Sequence, residues 1–325
     1  MAITKTTHVE PTDREYYDMM LIEENRHVLM LEQFANQKSI PKRNGKTINF
    51  RKRTPFPTVT TPMAEGVTPP ARGMVITEQT ASVYQFGDVA GITDWVDGTS
   101  TDPVLNEITD EQSIQMKETR EEYIRDQLFS LVTTNKRFLS AAGGILAANV
   151  AACDQIITTA ALDSMILLLK NGKAKYLTEI VNPGTGYNST SIGASYVAIA
   201  HTNVVADLVS LDNWKDVEDY AEPGARMENE VGKYRNIRFL ESTHGHFQDD
   251  ATDETVDAFS TFFFAKDGWS VVGLDGQSTG TYHTPFGAGD DHLEQRAYAG
   301  WKMALGLAVT NQANIACLVH TATNN

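Results

Sequence analysis

The stretch from Lys46 to Phe86 sets the narrowest limits on what this chain can fold into. Residues 46–54, KTINFRKRT, alternate, with Ile48 and Phe50 on one face and Asn49, Arg51 and Arg53 on the other. Pro55, Pro57 and Pro62 follow. A proline cannot donate to a ladder, so no central strand continues there. After a Gly/Pro turn region, MAEGVTPPARG, the chain becomes extended again over Val75 to Phe86, VITEQTASVYQF, a run rich in Thr, Val, Tyr and Phe. The two runs predict a long two-stranded ribbon. Neither limb carries enough apolar surface for a sandwich core, and such a ribbon must lie on something to be stable. Limbs of a dozen residues reach roughly 40 Å from the body, at about 3.3 Å per residue.

The charge on this arm is opposite to that of the chain. From Lys38 to Arg53 there are seven Lys or Arg and no acid, whereas the 325 residues carry a formal charge of −15. An acidic excess argues against a dedicated nucleic-acid binder, and the limb's aromatics, Phe50 and Phe56, make no stacking platform. Two surfaces of opposite sign, one of them on an arm, point to contact between copies of the chain. Apolar residues make up 41% and charged residues 21%, the balance of a soluble globular protein with a real core. The N-terminal residues show no apolar signal segment, and the apolar uncharged run Phe138 to Cys153 is too short to span a bilayer. Cys153 and Cys317 sit in apolar surroundings and read as buried thiols.

Around the ribbon the periodicities predict an α+β chain. Residues 12–35 read as an amphipathic helix that Ile40-Pro41 ends. A helix over 109–138, about 45 Å long at 1.5 Å per residue, starts at a Thr109/Gln112 capping box, with Glu121 and Arg125 as an i,i+4 pair. Its apolar stripe of Ile124, Leu128 and Leu131 is thin, so it lies across another surface and not inside a bundle. A helix near 158–171 ends at Gly172, and residues 182–193 form a loop. SYVAIAHT reads as a buried strand, DNWKDVEDYA as a short helix, and KYRNIRFLES, TFFFAKDGWSVVGL, AYAGWKMALGLAVT and ANIACLVHTA as strands. Ribbon and helix are both too extended for a compact enzyme core.

Catalytic and metal chemistry has little support. His244, His246 and Asp249 could hold a divalent ion for a metal-dependent hydrolase, but they stand in a polar loop at 241–258 without helical ligand spacing. Asp290-Asp291-His292 has no nucleophile elbow, and Gly184-x-Gly186 lacks the ending of a phosphate loop. Asn188 opens a formal glycosylation sequon that reads as loop. No catalytic residue, metal or cofactor is assigned. The acidic tracts 212–230 and 249–257 read first as solvated faces.

The order of several short motifs resembles the major capsid proteins typified by N-four-like podophages. Ile40-Pro41, Gly45 and Phe50-Arg51 follow its first strand pattern. Glu65-Gly66-Val67-Thr68-Pro69 follows its turn, and Gln85-Phe86-Gly87 with Asp102-Pro103 its next strand and helix start. ADLVSLDNWKDVEDYA, MENEVGKYRNIRFLES and LEQRAYAGWKMALG resemble its later elements. Asn229 and Asn236 stand where the family has glycine, and Asp291-His292-Leu293 replaces its Asp-Pro-Leu.

The resemblance implies a Hong Kong 97-type capsid fold. It divides the chain into an N-terminal arm over 1–40, an extended loop (the E-loop) over 41–88, and a peripheral domain over 89–154 with the spine helix 109–138. An axial domain over 155–280 and a return to the peripheral sheet over 281–325 complete it. It implies hexamers and pentamers in an icosahedral shell around double-stranded DNA bound without sequence specificity. A portal, scaffolding or decoration proteins are further partners, no membrane is involved, and assembly takes place in the cytoplasm of a bacterial host before the protein resides in the virion. An encapsulin-like cargo shell is the alternative within the same fold. Lys46, Phe50, Arg51, Lys52, Arg53 and Glu65 are the expected inter-subunit contacts. Glu118, Glu121 and Glu122 on the long helix, or Asp216, Glu218 and Asp219, are the expected acidic partners. Lysines are present in the ribbon, but nothing marks an acceptor asparagine for a covalent cross-link.

Overall fold

The computed structural model describes residues 30–100, 104–140, 153–178, 193–217, 226–252, 256–276, 279–288 and 291–323. In chain order the strands are β1 (Asn36–Ile40), β2 (Thr47–Arg53), β3 (Ile76–Ser82), β4 (Tyr84–Thr93), β5 (Lys136–Phe138), β6 (Tyr196–His201), β7 (Trp214–Asp216), β8 (Glu230–Tyr234), β9 (Ile237–Ser242), β10 (His246–Thr252), β11 (Val256–Phe264), β12 (Ser270–Leu274), β13 (Gly280–Thr284), β14 (Arg296–Ala308) and β15 (Ile315–His320). The helices are α1 (Asp94–Thr99), α2 (Val104–Leu131), α3 (Thr159–Asn171) and α4 (Thr202–Val209).

Two sheets form the body. The smaller runs β1-β12-β14-β13, and β4 also pairs with β14. The larger runs β5-β15-β11-β6-β9-β8-β7, and β10 also pairs with β11. β2 and β3 form a separate two-stranded ribbon. The last strand, β15, lies inside the larger sheet, so residues 281–325 are shared between both sheets.

Alternation along the central strands explains why the larger sheet is covered on both faces. Val197 and Ile199 of β6, Phe262 and Phe264 of β11, and Cys317 and Val319 of β15 face Ile124, Leu128 and Val132 at the end of α2. The intervening Ala198, Phe263 and Leu318 face Leu162, Met165 and Leu169 of α3 and Val204 and Leu208 of α4. Thr158 caps α3 by accepting from Ala161 N. Both cysteines are buried free thiols, and burial pushes Cys153 up to about 11 and Cys317 up to about 12.

Helix α2 lies across the smaller sheet, as its thin apolar stripe implies, but its ends differ from the sequence expectation. It begins at Val104, so Thr109 is a mid-helix residue whose Oγ1 donates to Leu105 O at 2.8 Å, and Gln112 is buried. It ends at Leu131, not 138. Gln312 stops it from far along the chain: its Nε2 donates to Leu131 O at 2.7 Å and its Oε1 accepts from Thr133 N at 3.3 Å. Residues 136–138 then join the larger sheet beside β15. Arg125 pairs with Glu122 at 3.2 Å and Asp126 at 2.8 Å, not with Glu121.

Other segments also depart from the expected pattern. Most of the expected helix over 12–35 lies outside the described residues. Its end is a single 3-10 turn, Leu31–Phe34, leading into β1. Residues 214–216 are a strand, and the short helix lies upstream at α4. Residues 246–252 form a strand paired with β11, although their polar sequence reads as loop. Val75 to Phe86 divides at Val83 between the ribbon and the smaller sheet. KYRNIRFLES is a hairpin turned at Arg235, which takes φ 48. Gly184, Asn188 and Asp290 lie outside the described residues. Among those described, no helix is long and apolar enough to cross a membrane.

Glu121 is turned inward. It is 3% exposed, and its Oε1 accepts from Met30 N at 2.8 Å and Leu31 N at 2.7 Å. Burial pushes its pKa up, and the two backbone donors oppose that shift. Glu121→Ala leaves both donors unsatisfied and costs about 2 kcal/mol, whereas Glu121→Gln keeps an acceptor and costs less. Urea unfolding of the unassembled subunit measures the difference.

Candidate assembly interface

The ribbon is anchored at one end. Ile48 and Phe50 pack half-buried against Ile40, Val272, Leu274, Ala304 and Ala308, with Ala81 and Val83 of the return limb. The approach is so close that a Cβ on Gly306 would stand 2.5 Å from Ser82 O. The ladder pairs Arg51 with Glu78 and Lys52 with Thr77. Lys52 Nζ then donates to Asn311 Oδ1 of the same chain at 2.6 Å. Hollows of about 490 and 350 Å³ flank that contact, the second lined by Lys38, Arg51, Lys52 and Asp267.

This placement changes the electrostatic expectation for the arm. Much of its positive charge sits where the ribbon rests on its own subunit. Lys46 and Arg53 are exposed. Beyond Arg53, residues 54–75 carry one acid, Glu65, and one base, Arg72. That tip forms no strand and turns at Ala64–Val67, where Gly66 takes φ 77 and Val67 N donates to Ala64 O at 3.2 Å. It exposes Phe56, Val59, Met63, Val67, Met74 and Val75, with Met63 73% and Val59 71% accessible. The projecting part of the arm is therefore apolar and neutral, and the cations cluster nearer its root.

The expected acidic partners do not form one surface. Glu121 is buried and so presents no carboxylate at the surface. Glu122 is exposed and paired with Arg125, and Glu118 is half-buried. Asp216 is exposed and accepts from Trp214 Nε1 at 2.7 Å. Glu218 and Asp219 lie outside the described residues.

A better-defined acidic feature went unrecognised in the sequence. A groove of about 660 Å³ runs between β4 and the first half of α2, lined by Asp88, Glu107, Glu111 and Glu118, by Val104, Ile108 and Ile114, and by no lysine or arginine. The helical acids fall at 107, 111 and 118, a spacing that puts them on one face, so this part could have been found. Asp88 comes from the register of β4 on β14. Its carboxylate is held below the usual range by Gln115 Nε2, which donates to Oδ2 at 2.9 Å, and by Val89 N on Oδ1.

The histidine cluster is dispersed. His246 is buried in β10, its ring stacked 4.0 Å from that of Phe129 and its Nδ1 3.0 Å from Ser260 Oγ. His244 lies in the preceding turn, and Asp249 is exposed. Among the described residues no group of three or more His, Cys, Asp or Glu could hold a metal.

No known sequence-family profile matches this chain, and no curated protein does. Solved structures match it over nearly its whole length. The capsid of cyanophage P-SCSP1u is 14% identical, covers 97% of this chain and 94% of its own, and superposes with a TM-score of 0.63. The capsid asymmetric unit of cyanophage Pam1 is 11% identical over 99% of this chain and 100% of its own, with a TM-score of 0.66. The capsid of Ralstonia phage GP4 is 11% identical over 99% of both chains, with a TM-score of 0.65. The chain has the fold of phage capsid proteins, the Hong Kong 97-type α+β fold.

Acid sensitivity follows from two buried imidazoles. Burial pushes both His246 and His320 down to about 4, against Asp126 near the first and Thr321 O and Asp207 near the second. Arg125 and Lys136 depress His246 further. Both rings are neutral in the fold and protonate once it opens. Stability is therefore intact above about pH 6.5 and falls toward pH 4 by about 1.4 kcal/mol per pH unit for each ring. Urea midpoints between pH 7 and 4.5 measure this, and His246→Phe is expected to flatten the slope.

Proposed function

We propose that this chain is the major capsid protein of a tailed phage, of the N-four-like podophage kind, and that its activity is assembly and not catalysis. The observation that carries this reading is the end-to-end correspondence with phage capsid chains, over 97% and 99% of this chain. Copies form hexamers and pentamers, and these close into an icosahedral shell around double-stranded DNA, with a portal at one vertex. Scaffolding and decoration proteins are candidate partners. Assembly in the host cytoplasm precedes residence in the virion.

In this reading the smaller sheet with α2 is the peripheral domain and the larger sheet with α3 and α4 the axial domain. The ribbon is the E-loop, and its tip reaches a neighbour through apolar side chains, each worth about 1.5–3 kcal/mol when fully buried. Lys46, Arg53 and Glu65 flank that contact. Summed over many heterologous contacts, a weak interaction closes a shell. The net charge of −15 keeps the packaged polyanion from adhering to the wall.

Electron microscopy of the purified protein tests the proposal. Closed shells are expected, and a protein that stays monomeric at assembly concentrations would contradict it. Shells filled with protein cargo in place of DNA would favour the encapsulin-like alternative. The triple substitution Phe56→Ser, Val59→Ser, Met63→Ser touches exposed side chains alone, so it is expected to leave circular dichroism unchanged and to cut shell yield at least tenfold.

A further inference from the structure

The face on which the ribbon rests changes character along its length. The register of β1 on β12 sets Asn36, Lys38 and Ile40 beside Ser270, Val272 and Leu274. Ile40, Val272 and Leu274 pack with Ile48 and Phe50 of the ribbon. Alternation therefore turns Asn36, Lys38 and Ser270 to that same side. On β2, Lys52 follows Ile48 and Phe50 on the inward side. There the apolar contact ends, at the hollow of about 350 Å³ lined by Lys38, Arg51, Lys52, Asp267, Ser270 and Asn311.

Two independent features of this hollow point to an anion. The first is charge. Three cations share the lining with one carboxylate, and Asp267 Oδ1 already accepts from Asn36 Nδ2 at 3.0 Å. Among the described residues the side chains of Lys38 and Arg51 have no hydrogen-bond or ion-pair partner, and Arg51 stands opposite Glu78 in the ladder without bonding it. Lys52 meets only the neutral Asn311. Cations so placed repel one another unless an anion stands between them. The second feature is Ser270, which is 2% exposed on the ribbon side of β12. Its hydroxyl has no partner among the described residues and is not sealed off, so it opens into the hollow. A nearly buried hydroxyl left without a partner is uncommon enough to ask for one. A tetrahedral dianion answers both features, because a guanidinium fork, lysine ammonium groups and a hydroxyl can each donate to a different oxygen. We propose that this hollow binds a phosphate ion, and that the bound ion ties β1 to the root of the ribbon.

Titration calorimetry of the purified protein with inorganic phosphate tests the site, with sodium chloride holding the ionic strength constant. One phosphate per chain is expected, with a dissociation constant of about 1 mM or tighter. Lys38 and Arg51 are exposed, so Lys38→Met with Arg51→Met is expected to fold and to weaken binding by roughly tenfold or more. Arg51→Lys keeps the charge, loses the fork and is expected to weaken it less. Thermal unfolding gives a second readout: phosphate is expected to raise the melting temperature of the wild type and not that of the double variant. Absence of saturable binding, or binding by the double variant equal to that of the wild type, overturns the proposal. A DNA backbone carries the same group, and a short duplex separates the two sources. A duplex that leaves phosphate bound supports the free ion, whereas one that displaces it assigns the seat to a phosphodiester and overturns the free ion as occupant. The site lies within one subunit, so shell formation has no bearing on either result.

Discussion

Gln115 holds together the part of the molecule from which the rest is measured. Its side chain takes the indole N–H of Trp301 on β14 and gives an N–H to Asp88 on β4, so helix and two strands share one amide. β14 is thirteen residues long and pairs with β4 over most of its length on one side, and with β13 and β12 on the other. Once α2 is fixed over that strand, Ile124, Leu128 and Val132 reach the larger sheet. The two sheets are thereby held by one helix about 42 Å long, at 1.5 Å per residue. Where α2 crosses β4 it leaves the acidic groove. Where β14 runs on to Gly306 it gives the ribbon its foothold against Ser82. Groove and ribbon root are thus consequences of one helix-on-strand placement.

What could be read from the sequence was what local chemistry decides. The alternation of Ile48 and Phe50 located β2, the Pro-rich turn located a tip, and the thin stripe on α2 foretold a helix lying across a surface. Gly172 bounded α3 because a helix stop of this kind is a local signal. Errors arose where a distant residue decides. No glycine or proline stops the helix before 138, and Gln312 ends it from 181 positions away. Glu121 and Arg125 have ideal pairing spacing, yet Met30 and Leu31 claim the carboxylate. His246 looks like a loop ligand until β11 pairs with its strand and Phe129 covers its ring. The acids of the groove on α2 share a helical face, but Asp88 joins them through strand register, which one sequence does not display.

Sequence and structure weigh the arm's charge differently. Counting residues makes the ribbon an electropositive probe. In space, Arg51 stands opposite Glu78 of the ribbon's own second limb and Lys52 is bound to Asn311, so one cation sits against an acid within the ribbon and another sets the ribbon against its own subunit. The tip is left nearly uncharged and apolar. Such a division suits an acidic chain. Exposed charges more than about 8 Å apart are largely screened at physiological salt, so the repulsion between subunits of charge −15 weakens with separation, and a desolvated apolar contact is not screened at all. Prolines at 55, 57, 62, 69 and 70 deny the tip the unbroken row of donors that an extended strand would offer to any sheet edge. An arm that is apolar enough to bind and too irregular to add as a strand associates through side-chain fit. Its specificity must then come from the shape and polarity of the surface it meets.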